Sequence, residues 1–292
     1  MDGRGVAQEI RERAKLEIDV LKGFGVKPSL ANILVGDSPA SRAYLKNRDS
    51  ACREAGIHSR NIGLDADTSQ AELHRVIQDL NHDQDVTGIL LQLPLPKGLD
   101  DVTAIMELAP QKDVDGLHPF NVGQLWRKSA PLVPCTPRGV VVLLKHYRVD
   151  MAGKHVVIVN RTKVVGRPLA QLLLNEDATV TICHSKTQRL RELTKEADIL
   201  VTGIGRREQI TVSSEMIKPG AAVVDVGTSE VNGQLVGDVD FDSALKTASF
   251  LTPVPGGVGP MTTALLLYNT LLSAAMQKGV QLRFAPEGVV GN

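Results

Sequence analysis

Short apolar runs alternate with amphipathic stretches along most of this 292-residue chain. The apolar runs, which are rich in β-branched residues, lie at 29–36, 86–96, 155–160, 179–184, 198–205 and 221–227. Stretches with helical character lie at the N-terminus and at 39–56, 68–83, 101–110, 138–147, from about 166, at 187–196 and at 262–277. Strands that alternate with helices predict an α/β fold with a parallel sheet covered on both faces.

The predicted helix at 39–56 has clear start and stop signals. Ser38 is a good N-cap, and Gly56 is a good stop. On this helix Tyr44 and Arg48 share a face, whereas Lys46 points about 200° away from Tyr44. The sequence therefore predicts one helix face that carries an aromatic ring and a cation. In the next helix, Thr68 is the predicted cap.

A stretch rich in Gly, Pro, Asp and Asn follows residue 110 and predicts turns. We place a domain boundary near residue 139, which gives an N-terminal domain at 1–139 and a second domain at 140–265. A C-terminal helix within 266–292 is predicted to pack back on the first domain. The second domain alternates strands and helices in the manner of a dinucleotide-binding fold.

The turn after strand 155–160 lacks the G-x-G-x-x-G fingerprint and reads N-R-T-K-V-V-G-R-P. Gly166 and Pro168 lie where the next helix should begin, and a helix N-terminus can hold a phosphate. The pattern alone is equally compatible with a nucleotide site and with an ordinary strand-to-helix connection.

Charge and cysteine content exclude several classes of protein. Lys+Arg and Asp+Glu both number 33, so no overall basic field attracts nucleic acid or an anionic membrane. The three cysteines, Cys52, Cys135 and Cys183, form no C-x-x-C pair, which predicts reduced thiols in a cytoplasmic protein and no metal site. No segment reads as a signal peptide or a membrane span.

Eight motifs occur in a fixed order along the chain: SRAYLKNR, GILLQLPLP, KDVDGLHP, PCTPRG, NRTKVVGRP, CHSKT, VVDVG and TPVPGGVGPMT. Together they resemble the methylenetetrahydrofolate dehydrogenase/cyclohydrolase family from Asp2 to about residue 275. The resemblance implies an α/β folate domain and a Rossmann-like NADP domain with a cleft between them, usually in a homodimer. It also implies hydride transfer from methylenetetrahydrofolate to NADP, followed by hydration of methenyltetrahydrofolate to formyltetrahydrofolate.

The resemblance assigns residues to the folate by position. Tyr44 borders the pterin and aromatic rings, Gln92 tunes the catalytic basic residue, and Asp115 bonds the amide-like edge of the pterin. The remaining substrate residues are Leu91, Leu93, Pro255, Gly256, Gly257, Val258, Gly259 and Thr262. For the cofactor, Arg161 and Ser185 are assigned to the 2′-phosphate of NADP, and the set is completed by Asn160, Thr162 and Thr228.

Arg48 is a departure from this family, which has a lysine there. Lysine can lose its proton when it is partly buried, whereas arginine practically cannot. We therefore expect a dehydrogenase with greatly reduced cyclohydrolase activity. The alternatives left open are a fully bifunctional enzyme in which Arg48 is competent, a catalytically impaired paralogue that binds folate or nucleotide, and a different oxidoreductase. A second departure, Arg206-Arg207-Glu208, most often indicates a solvated surface.

Overall fold

A computed structural model of the chain describes residues 1–36 and 39–286, without the side chains at 39–41, 43 and 44. The residues group into two compact units, and each is named here after its main sheet. The three-stranded unit contains residues 9–135 and 263–285, and the five-stranded unit contains residues 1–8, 136–262 and 286. The domain boundaries predicted from the sequence stay a prediction.

From the N-terminus to residue 126 the chain forms α1 (Gly3–Gly23), β1 (Ser29–Val35), α2 (Pro39–Ala55), β2 (His58–Leu64), α3 (Gln70–His82), β3 (Gly88–Leu91), α4 (Asp101–Met106) and α5 (Pro119–Trp126). The three strands are parallel, in the order β2-β1-β3. Strand β2 was not predicted, because its sequence HSRNIGL is polar and its residues are exposed or half-buried. The core of this unit is formed by apolar side chains such as Ile33, Leu73, Ile77 and Ile89.

The cap of α3 differs from the prediction by one residue. Ser69, not Thr68, has the extended backbone of an N-cap, and its hydroxyl oxygen accepts a hydrogen bond from the Glu72 amide at 3.1 Å. A cap must have its oxygen within reach of the third amide of the helix, and the helix begins at Gln70. The other predicted cap, Ser38, lies outside the described residues.

The segment predicted as turns after residue 110 is partly wrong, because it contains α5. Its KDVDG motif is held by backbone and side-chain bonds. The ammonium of Lys112 is buried and donates to the carbonyls of Leu80, Asn81 and Asp83 at 2.8–3.0 Å. It therefore satisfies carbonyls at the C-terminal end of α3, where the helix itself supplies no donors.

Replacing Lys112 with methionine is expected to lower the free energy of unfolding by about 3 kcal/mol. The change keeps most of the side-chain length but leaves three carbonyls without their charged donor, and hydrogen bonds to charged groups contribute about 1.5–3 kcal/mol each, not additively. Thermal and urea denaturation followed by circular dichroism measure the loss. The exposed Lys27 gives the matched control, Lys27→Met. An equal, small effect of both substitutions would contradict the capping role.

From residue 135 to residue 251, almost all of it in the five-stranded unit, the chain forms α6 (Cys135–His146), β4 (His155–Val159), α7 (Gly166–Asn175), β5 (Thr179–Cys183), α8 (Leu190–Lys195), β6 (Ile199–Thr202), β7 (Ala222–Asp225), β8 (Ser229–Val231), β9 (Gln234–Val236), α9 (Phe241–Ala244) and β10 (Phe250–Leu251). Its parallel sheet has the order β10-β7-β6-β4-β5, and β8 and β9 form a separate antiparallel hairpin. The chain passes from β4 to β5 on one side, then to β6 on the other. Such a reversal creates a ligand-binding crevice at the carboxyl ends of the strands.

The last helix, α10, spans Val258–Gln277. It begins four residues earlier than predicted, since Gly259 and Pro260 fall in the first turn, where proline sacrifices no hydrogen bond. Its end at Gln277 agrees with the predicted end: Gly279 adopts a left-handed φ of 65°, and the Val280 amide donates to the Ala275 carbonyl, which ends the helix. Among the described residues, no helix is long and apolar enough to cross a membrane.

Candidate active site

Arg48 is held by two amide side chains in the three-stranded unit. Its Nη1 donates to Oδ1 of Asn32 at 3.0 Å, and its Nη2 donates to Oε1 of Gln92 at 2.9 Å. Gln92 directly follows β3, and its own amide nitrogen donates to the Leu93 carbonyl at 3.0 Å. The structure thus brings together two residues that the sequence assigned to the site. It adds Asn32, which was not predicted from the sequence. The available signal was an amide side chain within an otherwise apolar strand.

The other sequence-predicted residues of this unit lie on the same elements. Tyr44 lies one helical turn before Arg48 on α2, and its side chain lies outside the described part of the structure. Leu91 is buried at the end of β3, and Leu93 is half-buried just after it. Lys46 is exposed, as expected for a side chain that points away from Arg48.

Asp115 is the carboxyl group of this site that titrates near neutral pH. Burial and, to a smaller extent, the neighbouring Asp113 raise its pKa, the positive charge of Arg48 opposes both effects, and the net pKa is about 7. Asp113 itself is committed to the fold, because its carboxylate accepts from the His118 amide at 2.7 Å and from the Asn121 side chain at 2.9 Å. Asp115 can therefore exchange a proton or a ligand at physiological pH.

Two titratable groups on α2, the guanidinium of Arg48 and the thiol of Cys52, behave differently from Asp115. Burial lowers the pKa of Arg48, but an arginine remains protonated in proteins. Burial raises the pKa of Cys52, one turn further along α2, to about 12, so this thiol stays neutral. The site therefore combines one permanent positive charge with one carboxyl whose charge depends on pH.

The glycine-rich turn assigned to the folate lies in the five-stranded unit. Gly256 has a φ of 118°, a backbone conformation that favours glycine. Its carbonyl accepts a hydrogen bond from the Gly3 amide at 3.0 Å. Gly257 and Val258 are buried, while Pro255 and Gly259 are exposed. The hydroxyl of Thr262, one turn into α10, lies 2.9 Å from that of Thr136.

The residues assigned to the 2′-phosphate lie at one edge of the five-stranded sheet, the edge formed by the carboxyl ends of its strands. In the parallel register, Val159 of β4 pairs with Cys183 of β5. Arg161 and Ser185 each follow these strand ends by two residues, so they leave the sheet side by side, and both are exposed. Thr228 is exposed in the turn after β7 at the same edge. An exposed guanidinium and hydroxyl at this edge suit a phosphate group.

Asn160 shapes the turn after β4. Its Oδ1 accepts from the Thr162 amide at 2.8 Å, the Thr162 hydroxyl at 2.8 Å and the Gly166 amide at 3.0 Å, while its Nδ2 donates to the Gly203 carbonyl. A Cβ on Gly166 would lie 2.1 Å from the Asn160 carbonyl oxygen, so only glycine allows α7 to start this close to the strand. The side chain of Asn160 therefore builds the cradle that a G-x-G-x-x-G turn otherwise provides.

The arginine pair after β6 has two different environments. Arg206 is exposed, as the sequence predicts, but Arg207 is half-buried, and its Nη1 donates to the carbonyls of Gly237 and Val239 at 2.9 and 2.6 Å. Its charge also lowers the pKa of Asp238, which burial raises. The interpretation of the whole run as a solvated surface is wrong for Arg207, which anchors the segment after the β8–β9 hairpin.

Two family models match the chain. Residues 1–115 match the catalytic domain of tetrahydrofolate dehydrogenase/cyclohydrolase, and residues 134–278 match its NAD(P)-binding domain. The chain belongs to the tetrahydrofolate dehydrogenase/cyclohydrolase family. This confirms the resemblance seen in the motifs.

Relatives of this family are similar over nearly their whole length. The bifunctional protein FolD of Nitrosopumilus maritimus (strain SCM1) is 47% identical over 280 residues, which are 96% of this chain and 98% of the relative. The crystal structure of the bifunctional enzyme FolD, methylenetetrahydrofolate dehydrogenase/cyclohydrolase, from Campylobacter jejuni has 45% identity and a TM-score of 0.91, covering 94% of this chain and 98% of that one. The Trypanosoma brucei enzyme, solved with NADP cofactor and inhibitor, has 39% identity and a TM-score of 0.90, covering 95% and 97%. The predicted α/β class with a Rossmann-like domain is confirmed.

Proposed function

We propose that this protein is a bifunctional enzyme that oxidises methylenetetrahydrofolate with NADP and then hydrates the methenyl product to formyltetrahydrofolate. The observation that carries the proposal is the meeting of a permanent cation, Arg48, with Gln92 and a carboxyl, Asp115, whose pKa is about 7. The expectation that Arg48 greatly reduces hydration finds no support among the relatives, which are named as bifunctional proteins.

In the oxidation step, the protein's task is to bind and orient. The ionised carboxylate of Asp115 accepts hydrogen bonds from the donor edge of the pterin, which fixes the position of the folate ring. Bound NADP supplies the ring carbon that accepts the hydride. Arg161 and Ser185 fit its 2′-phosphate, and Asn160 and Gly166 keep the start of α7 close to the strand end.

In the hydration step, water adds to the positively charged methenyl carbon, the ring C–N bond then breaks, and one proton leaves to solvent. Arg48 cannot accept that proton. Its fixed charge instead stabilises the oxygen bound to that carbon, where negative charge develops as the oxygen gives up its second proton to the departing ring nitrogen. This role needs a held cation rather than a titratable one, so arginine can perform it.

Paired assays on the purified wild-type protein test both steps. We expect NADPH formation from methylenetetrahydrofolate, and loss of methenyl absorbance well above the spontaneous rate when methenyltetrahydrofolate is supplied directly. Oxidation without accelerated hydrolysis would restore the dehydrogenase-only hypothesis. Absence of both activities, with folate or nucleotide binding retained, would favour the catalytically impaired paralogue.

Replacing Arg161 with alanine is expected to raise the KM for NADP about 30-fold and to leave that for NAD nearly unchanged, because a charge-assisted phosphate contact contributes about 2 kcal/mol. Steady-state kinetics with both cofactors measure the shift. Lys154→Ala is the matched control. Lys154 is an exposed cation that directly precedes β4, at the end of the strand opposite Arg161. Equal shifts for NADP and NAD would contradict the assignment.

We also propose that the protein is a cytoplasmic homodimer. The three cysteines are free and buried, as expected in a reducing compartment. Strand β5 is an edge of the five-stranded sheet, and its Ile182 is exposed, as is Leu174 on α7. An open edge with apolar side chains favours pairing with a second copy. Light scattering coupled to gel filtration is expected to give twice the 31.4 kDa chain mass, and a mass of one chain would reject the dimer.

A further inference from the structure

Asn32 is a polar residue within the apolar central strand β1, SLANILV. Its side chain is 1% exposed, and all the strand's residues except Leu34 are buried. A buried amide destabilises a fold unless its hydrogen bonds are made. The partners of Asn32 therefore show why the strand keeps an amide at this position.

All the hydrogen-bonding groups of the Asn32 amide are used. Its Nδ2 donates to the Ser59 hydroxyl at 3.2 Å and to Oδ1 of Asn61 at 2.9 Å, both on β2. Asp49 of α2 accepts from the same two side chains at 2.6 Å. Because these contacts direct the nitrogen of Asn32 towards β2, its oxygen must face Arg48, which donates to it at 3.0 Å.

The network has a consequence for the charge on Arg48. Among the described residues, the recorded hydrogen bonds of its guanidinium go to two neutral amide oxygens, those of Asn32 and Gln92. These oxygens fix two nitrogens of the planar fork without neutralising it, as a directly bonded carboxylate would. The guanidinium is held in place with its charge undiminished by these two bonds, while the carboxyls of Asp115 and Asp49 act on that charge through space.

We propose that Asn32 is a positioning residue for the hydration step, one that aims the guanidinium of Arg48. The inference rests on the proposed cyclohydrolase function and deepens it. A lysine at position 48 would carry its three donors on one nitrogen, without the planar two-nitrogen fork whose orientation Asn32 and Gln92 fix. Asn32 is thus one of the two partners that fix the orientation of this fork.

Kinetics of Asn32→Leu, an apolar substitution of similar size, test the proposal. We expect kcat for methenyltetrahydrofolate hydrolysis to fall about 10- to 100-fold, which corresponds to one hydrogen bond to a charged group. The KM and the dehydrogenase rate are expected to change less than about threefold. Thr87→Val is the matched control, because Thr87 is also buried and bonds to Ser29 at the start of β1, at 2.9 Å. It should leave the ratio of the two activities unchanged.

The same substitution in an Arg48→Lys background shows whether Asn32 acts through the guanidinium. There we expect Asn32→Leu to change hydrolysis less than about threefold. Equal losses in both backgrounds, or equal losses of both activities, would overturn the proposal, since they indicate a purely structural role. If Asn32→Leu does not fold, Asn32→Thr replaces it, with the same expected loss because its hydroxyl is too short to bridge Arg48 and β2.

The wild-type assay separates this proposal from the one on which it rests. A wild type that does not accelerate hydrolysis overturns the bifunctional proposal and this inference together. A wild type that hydrolyses methenyltetrahydrofolate, alongside an Asn32→Leu protein that does so equally well, overturns the positioning role alone.

Discussion

Replacing Arg48 with methionine is expected to reduce hydrolysis of methenyltetrahydrofolate by about 10²–10³-fold, the range found when one preorganised charge-stabilising donor is removed from an active site. Methionine keeps an unbranched side chain of similar bulk but carries no charge. It also leaves the buried oxygen of Asn32 and that of Gln92 without their donor. The expected loss arises in the transition state of ring opening, where negative charge develops on the added oxygen as it gives up its second proton.

Comparison of three variants isolates the charge of Arg48. Arg48→Lys keeps the cation and is expected to retain hydrolysis above the spontaneous rate, because the proposed role needs only a held charge. Lys46→Met removes an exposed cation two residues away on the same helix and is expected to change neither activity. Methenyl absorbance and NADPH formation are followed in parallel. Full hydrolysis by Arg48→Met would show that another group stabilises the developing charge.

The sequence predicted the fold wherever hydrophobic periodicity was strong. Strands such as 29–35 and 155–159 are buried and β-branched, and they appear where the pattern placed them. Strand β2 was missed because it is a polar edge strand, and its pairing with β1 is specified by tertiary contacts rather than by local pattern. Helix α5 was missed because it is short and follows a motif rich in turn residues.

The candidate site could be predicted only in part, because its contacts join residues that are far apart in the sequence. Helical spacing places Tyr44 and Arg48 on one face, but it cannot show that Asn32 and Gln92 supply the two oxygens that hold the guanidinium, since 16 and 44 residues separate these pairs. Likewise, the motif KDVDG contains three charged residues, and the sequence alone does not indicate that their roles differ. The structure separates Lys112 as a helix cap from Asp115 as a group that titrates near pH 7.

Replacing Asp115 with asparagine is expected to raise the KM for methylenetetrahydrofolate about 100-fold at pH 8. The proposed contact is between an ionised carboxylate and donors on the pterin edge, and such charge-assisted bonds contribute about 1.5–3 kcal/mol. Asparagine offers one carbonyl oxygen and a donor in place of the second acceptor, so it cannot accept from two adjacent donors. Both activities should show the increase, because both substrates present the same pterin edge.

The pH dependence gives this prediction a distinctive sign. Because the pKa of Asp115 is about 7, the carboxyl is protonated below that pH and cannot accept from the pterin. The wild-type KM should fall about tenfold for each unit of pH up to about 7 and then level off. Asp115→Asn should show no such dependence, and the exposed Asp67→Asn, as a control, should keep the wild-type profile. A wild-type KM that is flat between pH 5 and 8 would contradict pterin binding by the carboxylate.

The same carboxyl affects folding stability in the opposite direction. Its pKa in the folded protein lies above that of an unfolded chain, so the folded state holds a proton that the unfolded state releases as the pH rises from about 4 to 7. Its contribution to stability is therefore fully present below about pH 4 and is lost as the pH rises through about 7. Asp115→Asn should melt at a higher temperature than the wild type at pH 8, and this advantage should shrink at pH 5. The ionised carboxylate would thus bind substrate at neutral pH at a cost in stability, so the variant that gains stability there should be the one that loses substrate affinity.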